Sequence, residues 1–308
     1  MNKPTPSLII LAAGMSSRMK KSLEALNAEE GTEYSSKDQI KPRVPSTNTH
    51  KGLIPIDSQG KTAIDLLIHE AECAGISRII LVIQPPGTAL KNHFTNRINT
   101  RNDAPKAMAN DKQNATIDFA FQKIPEGREK PLGTADALLQ CMQQFPELHH
   151  EQFIVCNADN LYSREAFVAL ISSDCNNALI GYDREGLDFP LEKIRSFALL
   201  VQDDKQYMTK LIEKPDQDHT QRLTEQGQQL SVSMNLWKFK GSDLYAALLN
   251  CPVHPQRQEK ELPNAVRLMI TKQKTKILVI AKKEHVPDLT QASDIEDVRL
   301  YLTQQDTD

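Results

Sequence analysis

Short apolar runs alternate with amphipathic helical patterns up to residue 182, and this alternation is the strongest constraint on how the chain can fold. Such a run followed by glycine or polar turn residues is typical of a buried strand, whereas apolar residues three and four apart are typical of a helix. Strands that alternate with helices predict an α/β fold, with a mostly parallel mixed sheet covered by helices. The predicted strands are Ser7–Ala12, Arg78–Ile83, Thr116–Phe121, Gln152–Cys156 and Ala178–Tyr182, and the helices are Ala63–Ala74, Thr134–Phe145 and Arg164–Ser172.

The pattern becomes richer in strands after Ser196, before a last group of helices. The predicted strands there are Phe197–Gln202, Tyr207–Ile212 and Ser231–Phe239, and the helices are Asp243–Leu249, Leu262–Thr271 and a C-terminal helix over 291–303. The polar segment 20–50 starts with a short helical pattern and ends rich in Pro, Ser, Thr and Asn. We interpret it as an inserted, mobile segment, with an ordinary solvated loop as the alternative. We find no repeat and no clear linker, and therefore predict a single domain over 1–308.

The composition excludes several classes of protein. The 308 residues are 39% hydrophobic and 25% charged, and the apolar run near the N-terminus is too short for a membrane span or a signal peptide. The five cysteines contain no C-x-x-C pair, which argues against a disulfide framework and a zinc site. The net charge of −3 lacks the basic excess of nucleic-acid-binding proteins. We expect a cytoplasmic protein that acts on a small substrate, with no nucleic-acid or membrane partner.

The loop after the first strand is the first candidate site. It runs from Leu11 to Arg18 and contains Gly14 and Ser16. A loop that leaves a sheet with exposed backbone N–H groups and ends in a guanidinium can bind phosphates. It matches neither the dinucleotide-binding pattern nor the Walker A pattern. Taken alone, it also fits a plain strand-to-helix connection.

Four further motifs follow this loop, and together the five resemble the sugar-1-phosphate nucleotidyltransferases. They are L-A-A-G-M-S-S-R-M from Leu11, K-G-L-I-P-I from Lys51, G-T-A-D-A from Gly133, N-A-D-N from Asn157 and E-K-P from Glu213. The resemblance spans about residues 7 to 240. It implies a GT-A-like, Rossmann-like fold with a nucleotide-binding half at about 7–160 and a sugar-binding half at about 161–285. Thymidylyltransferases and uridylyltransferases of glucose-1-phosphate are familiar members.

The resemblance assigns residues to the nucleotide. Arg18 would contact the β- and γ-phosphates, and Lys51 the α-phosphate between the attacking and leaving groups. Gln122 and Gly133 would contact the pyrimidine edge, the glutamine by its amide and the glycine by its backbone. The loop residues that would lie along the nucleotide are Leu11, Ala12, Ala13, Gly14 and Ser16.

The resemblance also assigns metal and sugar-phosphate ligands. Asp159 follows an apolar strand, where open α/β sheets place ligand sites, and it is the expected Mg²⁺ ligand. A second metal-binding aspartate is expected late in the chain, where Asp288 is the nearest candidate and Asp294 the next. The residues expected to bind the sugar phosphate are Gly181, Glu213, Lys214 and Asn235.

Two features depart from the family pattern. Ser16 stands where the family usually has a glycine, and the polar segment 20–50 separates Arg18 from Lys51 by more than usual. Both bear on the geometry expected at the triphosphate.

The expected reaction is the condensation of a nucleoside triphosphate with a sugar-1-phosphate, which releases pyrophosphate. Three alternatives stay open: a cytidylyltransferase acting on a phosphorylated alcohol, a GT-A glycosyltransferase, and a non-catalytic subunit that senses sugar nucleotides. The signature loop argues against the glycosyltransferase, and the presence of Lys51 and Arg18 argues against the sensor. The base, the sugar and the formation of a homo-oligomer stay open.

Overall fold

We describe the protein from a computed structural model, which describes residues 4–14, 17–30, 50–57, 60–102 and 115–305. The strands are β1 (Ser7–Leu11), β2 (Arg78–Ile83), β3 (Thr116–Phe121), β4 (Gln152–Asn157), β5 (Ala178–Tyr182), β6 (Ala198–Gln202), β7 (Met208–Ile212), β8 (Gln229–Lys240) and β9 (Leu278–Lys282). The helices are α1 (Ser17–Glu30), α2 (Ala63–Cys73), α3 (Thr88–Asn102), α4 (Thr134–Gln144), α5 (Arg164–Ser172), α6 (Leu191–Ser196), α7 (Gln217–Glu225), α8 (Gly241–Leu249), α9 (Leu262–Thr271) and α10 (Asp294–Gln305). None of the helices in these ranges is long and apolar enough to cross a membrane.

The described strands form one nine-stranded sheet with the order β3-β2-β1-β4-β8-β5-β9. Strands β1 to β4 are parallel to their neighbours within that group, and β5 is parallel to β9. Strand β8 runs antiparallel to β4, β5 and β6, and β7 pairs with β6. This arrangement confirms the predicted α/β class, a mixed sheet with helices packed on it.

The chain divides into two compact units. The larger unit comprises Met1–Gly14, Glu70–Asn157 and Tyr162–Val286, and the smaller unit comprises Met15–His69, Ala158–Leu161 and Pro287–Asp308. The single domain with a nucleotide half and a sugar half stays a prediction.

The core of the larger unit lies on the sheet. Leu8, Ile9 and Ile10 of β1 are fully buried, as expected for a parallel strand covered on both faces. Trp237 and Phe239 of β8 add stacked rings to this core, with centroids 5.7 Å apart. Full burial of each large apolar side chain contributes about 1.5–3 kcal/mol, so the unit needs no cross-link to fold.

A separate core holds the smaller unit together. Met19 and Leu23 of α1 are four residues apart, so they lie on one helix face, and both are buried with Ile54 and Ile295. The start of the predicted mobile segment is therefore a helix with a buried face, and this helix continues to Glu30. The rest of that segment, residues 31–49, lies outside the described residues.

The edge strand β3 is held by two glutamines of α4. The side chain of Gln144 accepts from Phe121 N at 2.9 Å and donates to Phe121 O at 2.9 Å. Gln140 repeats this pattern with Lys123, at 2.8 and 3.1 Å. The spacings match, because two strand residues and four helix residues each span about 6 to 7 Å. The clamp satisfies backbone groups that an edge strand otherwise exposes.

Candidate active site

Lys51 and Asp159 form an ion pair in the smaller unit. Lys51 begins a 3₁₀ turn over Lys51–Leu53, which His50 caps by accepting a hydrogen bond from Gly52 N through Nδ1 at 3.2 Å. Asp159 lies two residues beyond β4, and its backbone carbonyl accepts from Leu289 N at 2.7 Å. Both side chains are 18% exposed. The pair thus sets a cation and an anion side by side at a place that solvent reaches.

Asp288 lies beside the segment that carries Asp159. Its backbone forms an antiparallel bridge with Asn160, and its Oδ1 accepts from Asn160 Nδ2 at 3.4 Å. The Asp288 carboxylate also accepts from Thr290 Oγ1 at 2.9 Å. The bridge therefore brings the two predicted metal-binding aspartates to neighbouring backbone positions.

Asp294, the other candidate for the second metal-binding aspartate, accepts hydrogen bonds from the backbone of a neighbouring turn. Its Oδ2 accepts from Thr290 N at 2.9 Å and from Gln291 N at 2.7 Å, and the residue is 5% exposed. The carboxylate closes the turn before α10, which explains why this helix begins at Asp294 and not at residue 291 as predicted.

The predicted nucleotide loop is partly described. Ala12 N donates to Val82 O at 2.8 Å, and Ala13 O accepts from Gln84 Nε2, so both alanines are held next to the sheet and are buried. Leu11 is the last residue of β1, and Gly14 is exposed. Arg18 is exposed in the first turn of α1, in the smaller unit. Ser16 lies outside the described residues, and the phosphate roles of this loop stay predictions.

Gln122 and Gly133, both predicted to contact the base, are hydrogen-bonded to each other. Gln122 Nε2 donates to Gly133 O at 3.0 Å and to Asp136 Oδ2 at 2.9 Å. Gln122 is 2% exposed and Asp136 is 8% exposed. Asp136 belongs to the G-T-A-D-A motif, but its contact with Gln122 across 14 residues could not be inferred from the sequence.

Gly133 occupies a position that excludes a side chain. Its φ is 109°, and a Cβ there would lie 2.5 Å from Lys260 O. Lys260 O accepts from Ala135 N at 2.9 Å, and Thr134 Oγ1 accepts from Leu262 N at 2.9 Å. The G-T-A turn is thus fastened to the segment that leads into α9, and only glycine fits at its first position.

Two of the predicted sugar-binding residues flank an irregularity between β5 and β8. Leu179 pairs with Trp237 but Gly181 pairs with Ser233, so β8 carries a bulge between these pairs. Asn235 lies in the bulge with φ 62°, a left-handed conformation that is rare for a residue other than glycine.

The bulge is fixed from several sides. Tyr162 Oη donates to Met234 O at 2.7 Å, and Asn235 N donates to Ser233 Oγ at 3.2 Å. A Cβ at Gly181 would lie 2.5 Å from Ser231 Oγ, so this glycine permits the close approach of β8. A strained residue that its surroundings hold in place is typical of a ligand site.

Glu213 and Lys214 follow β7. Glu213 Oε2 lies 3.7 Å from Arg267 Nη2 of α9, and the Glu213 side chain is 16% exposed. Lys214 has φ 46°, which turns the chain sharply before Pro215. The contact between Glu213 and Arg267 was missed from the sequence, because nothing in either segment indicates that they meet.

The described residues contain no cluster of three or more His, Cys, Asp or Glu side chains suited to hold a metal ion. The two carboxylates that the resemblance assigns to a metal, Asp159 and Asp288, lie on segments joined by the bridge between Asn160 and Asp288. Mg²⁺ prefers oxygen ligands and commonly binds through one or two carboxylates together with substrate phosphates, so these two residues are of the ligand type that it uses.

The family comparison gives the class of the protein. The chain belongs to the nucleotidyl transferase family, whose profile matches residues 46–305. The resemblance predicted from the motifs is confirmed, and the protein is a nucleotidyltransferase. The match includes Lys51, Asp159 and Glu213, whereas the loop from Leu11 to Arg18 precedes it.

Two solved structures have the same fold. UDP-glucose pyrophosphorylase complexed with UDP-glucose superposes with a TM-score of 0.66 at 16% identity, covering 98% of this chain and 99% of that chain. Apo-UDP-glucose pyrophosphorylase superposes with a TM-score of 0.66 at 15% identity and the same coverage. Among curated proteins, no sequence matches this chain.

Proposed function

We propose that this nucleotidyltransferase condenses a pyrimidine nucleoside triphosphate with a sugar-1-phosphate to give a nucleoside diphosphate sugar and pyrophosphate. The ion pair of Lys51 and Asp159 carries the proposal, because it joins the family's expected α-phosphate lysine to its expected metal ligand. The fold shared with UDP-glucose pyrophosphorylase supports the same assignment.

The reaction is an in-line displacement. An oxygen of the sugar-1-phosphate attacks the α-phosphorus, a new P–O bond forms, and the bond to the β-phosphate oxygen breaks as pyrophosphate leaves. The attacking phosphate is already ionised, so the reaction needs no general base. Catalysis then consists of positioning and of charge neutralisation, the usual requirements of phosphoryl transfer.

The residues divide these tasks. Lys51 neutralises charge at the α-phosphate, and Arg18 binds the β- and γ-phosphates through its planar guanidinium. Asp159 and Asp288 would hold Mg²⁺, which when bound neutralises phosphate charge and orients the triphosphate. The sugar phosphate is assigned to Gly181, Glu213, Lys214 and Asn235.

A substrate panel tests the proposal. Each common nucleoside triphosphate is combined with each of several sugar-1-phosphates, with phosphocholine as the alcohol-phosphate comparison, and pyrophosphate release is measured with Mg²⁺ and with excess chelator. We expect release only when a pyrimidine triphosphate, a sugar-1-phosphate and Mg²⁺ are all present. Equal release without an acceptor or in excess chelator contradicts the proposal, and a preference for phosphocholine favours the cytidylyltransferase alternative.

A further inference from the structure

A buried hydrogen-bond network surrounds the side chain of Gln122. Its Nε2 donates to Gly133 O and to Asp136 Oδ2, and Asp136 Oδ2 also accepts from Gln140 Nε2 at 2.9 Å. Gln140 is in turn fixed by its bonds with the Lys123 backbone. Asp136 therefore lies at the centre of the network, one helical turn from Gln140 on α4.

The network determines which way the Gln122 amide points. The amide nitrogen has two hydrogens, and both are directed at groups that only accept: a backbone carbonyl and a carboxylate oxygen. If the amide were rotated by half a turn, its Oε1 would face those two acceptors and both bonds would be lost. The described residues provide no donor to Oε1. Gln122 thus offers a ligand one acceptor and no donor.

We propose that Asp136 is a positioning residue that fixes the Gln122 amide with Oε1 toward the base, and that the enzyme thereby selects a base with a ring N–H donor. The inference rests on the proposed function, which places Gln122 at the base edge. Among the pyrimidines, uracil and thymine carry a hydrogen on N3, whereas N3 of cytosine is an acceptor. With cytosine, the N3 acceptor would face the Oε1 acceptor of Gln122, and this buried oxygen would stay without a hydrogen-bond donor.

The expected difference in affinity between UTP and CTP follows from the free-energy cost of an unsatisfied buried polar group. Leaving one buried polar group unsatisfied costs about 1–3 kcal/mol, equivalent to a factor of about 5 to 150 in affinity. We expect UTP or dTTP to bind at least 10 times more tightly than CTP, where 10 is an order-of-magnitude estimate on the same basis. The proposal accordingly argues against the cytidylyltransferase alternative.

The wild-type protein gives the first test, in which calorimetry measures the dissociation constants of UTP, CTP and 3-methyl-UTP. The methyl group of 3-methyl-UTP removes the N3 hydrogen and keeps both carbonyls. We expect both CTP and 3-methyl-UTP to bind much more weakly than UTP. If CTP or 3-methyl-UTP binds as tightly as UTP, the inference is overturned. Because binding is measured without transfer, a protein that discriminates in this way but releases no pyrophosphate contradicts only the proposed function.

Variants test the role of Asp136. We expect Asp136→Ala to lower the ratio of UTP to CTP affinity by about 10-fold, and Asp136→Asn to keep the ratio, since its Oδ1 still accepts from Gln122. Asp136→Ser, with a side chain too short to reach Gln122, serves if Asp136→Ala does not fold. Gln144→Ala is the matched control, because it removes a clamp of the same kind on Phe121 without touching Asp136 or Gln122. An unchanged ratio in a folded Ala or Ser variant shows that Asp136 does not position the amide.

Discussion

The ammonium of Lys51 pairs with the carboxylate of Asp159, although the two residues are 108 positions apart in the sequence. A free lysine side chain has about 2 kcal/mol of rotamer entropy to lose on being fixed, so a lysine already held by a carboxylate is pre-organised for an incoming anion. The partial exposure of both side chains leaves room for a phosphate to reach the pair.

Replacement of Lys51 by alanine tests its assigned role. Because the charge matters most in the transition state, we expect Lys51→Ala to lower kcat by about 10²–10³ with little change in KM. Steady-state kinetics of pyrophosphate release give both constants. Lys61→Ala is the control, since Lys61 is an exposed lysine of the same unit whose bonds to Asp57 and Ile56 are made by its backbone. An unchanged kcat in folded Lys51→Ala assigns the catalytic cation elsewhere.

The two late aspartates should respond differently to substitution. Asp288→Asn removes the charge of a proposed metal ligand, so we expect it to raise the Mg²⁺ concentration that gives half-maximal activity. Asp294→Ala removes the acceptor of two backbone N–H groups, so we expect it to reduce stability by about 1–3 kcal/mol and leave the Mg²⁺ requirement unchanged. Mg²⁺ titrations and thermal unfolding of both variants separate the two roles. If Asp294→Ala raises the Mg²⁺ requirement and Asp288→Asn lowers only the stability, the two roles are assigned the wrong way round.

Asn235 combines a strained backbone with an assigned ligand role, and two substitutions separate them. Asn235→Gly keeps the left-handed conformation accessible, so the fold should keep its stability while KM for the sugar phosphate rises. Asn235→Val should lose about 1–3 kcal/mol of stability, because a β-branched residue strongly disfavours φ near 62°. Calorimetric unfolding and KM are the two measurements. A Gly variant with an unchanged KM rules out a role of the side chain in binding.

The buried thiol of Cys141 gives a prediction that depends on pH. Burial raises the pKa of this thiol to about 12, above the value of about 8.5 for a free cysteine. The folded state therefore favours the neutral thiol, so the associated stability is complete below about pH 8.5 and decreases as the pH rises toward 12, by up to about 1.4 kcal/mol per pH unit. Denaturant titrations at several pH values should show this decrease, with a shallower slope in Cys141→Ala. If stability falls equally steeply with pH in the wild type and in Cys141→Ala, the decrease does not come from the Cys141 thiol.

The sequence predicted most of the sheet, because its strands are short apolar runs with sharp ends. Arg78–Ile83, Thr116–Phe121 and Ala178–Tyr182 occur with the predicted bounds. Four elements were missed, namely α3, α6, α7 and β9. Helix α3 has no clear apolar face, whereas β9 is a short apolar run of the same kind as the strands that were predicted.

The candidate site was predictable only where a motif named its residue. Lys51 and Asp159 were assigned from two motifs and Gln122 from the family resemblance, and these assignments stay predictions; the hydrogen-bond partners around Gln122 were not predicted. The hydrogen bond between Gln122 and Asp136 joins residues 14 positions apart, and the one between Lys123 and Gln140 joins residues 17 positions apart. Both depend on how α4 packs beside β3. The bulge at Asn235 was also hidden, since V-S-M-N-L-W reads as a continuous strand.

The most direct test of the account follows the α-phosphate itself. UTP or dTTP carrying a radiolabel on the α-phosphate is incubated with the protein, Mg²⁺ and a sugar-1-phosphate, and the products are separated by chromatography. We expect the label in a nucleoside diphosphate sugar, with one unlabelled pyrophosphate released for each product formed and far less product with Lys51→Ala. Label that stays in the triphosphate with every sugar-1-phosphate tried, or that appears in a nucleoside monophosphate without the sugar, contradicts nucleotidyl transfer to a sugar phosphate.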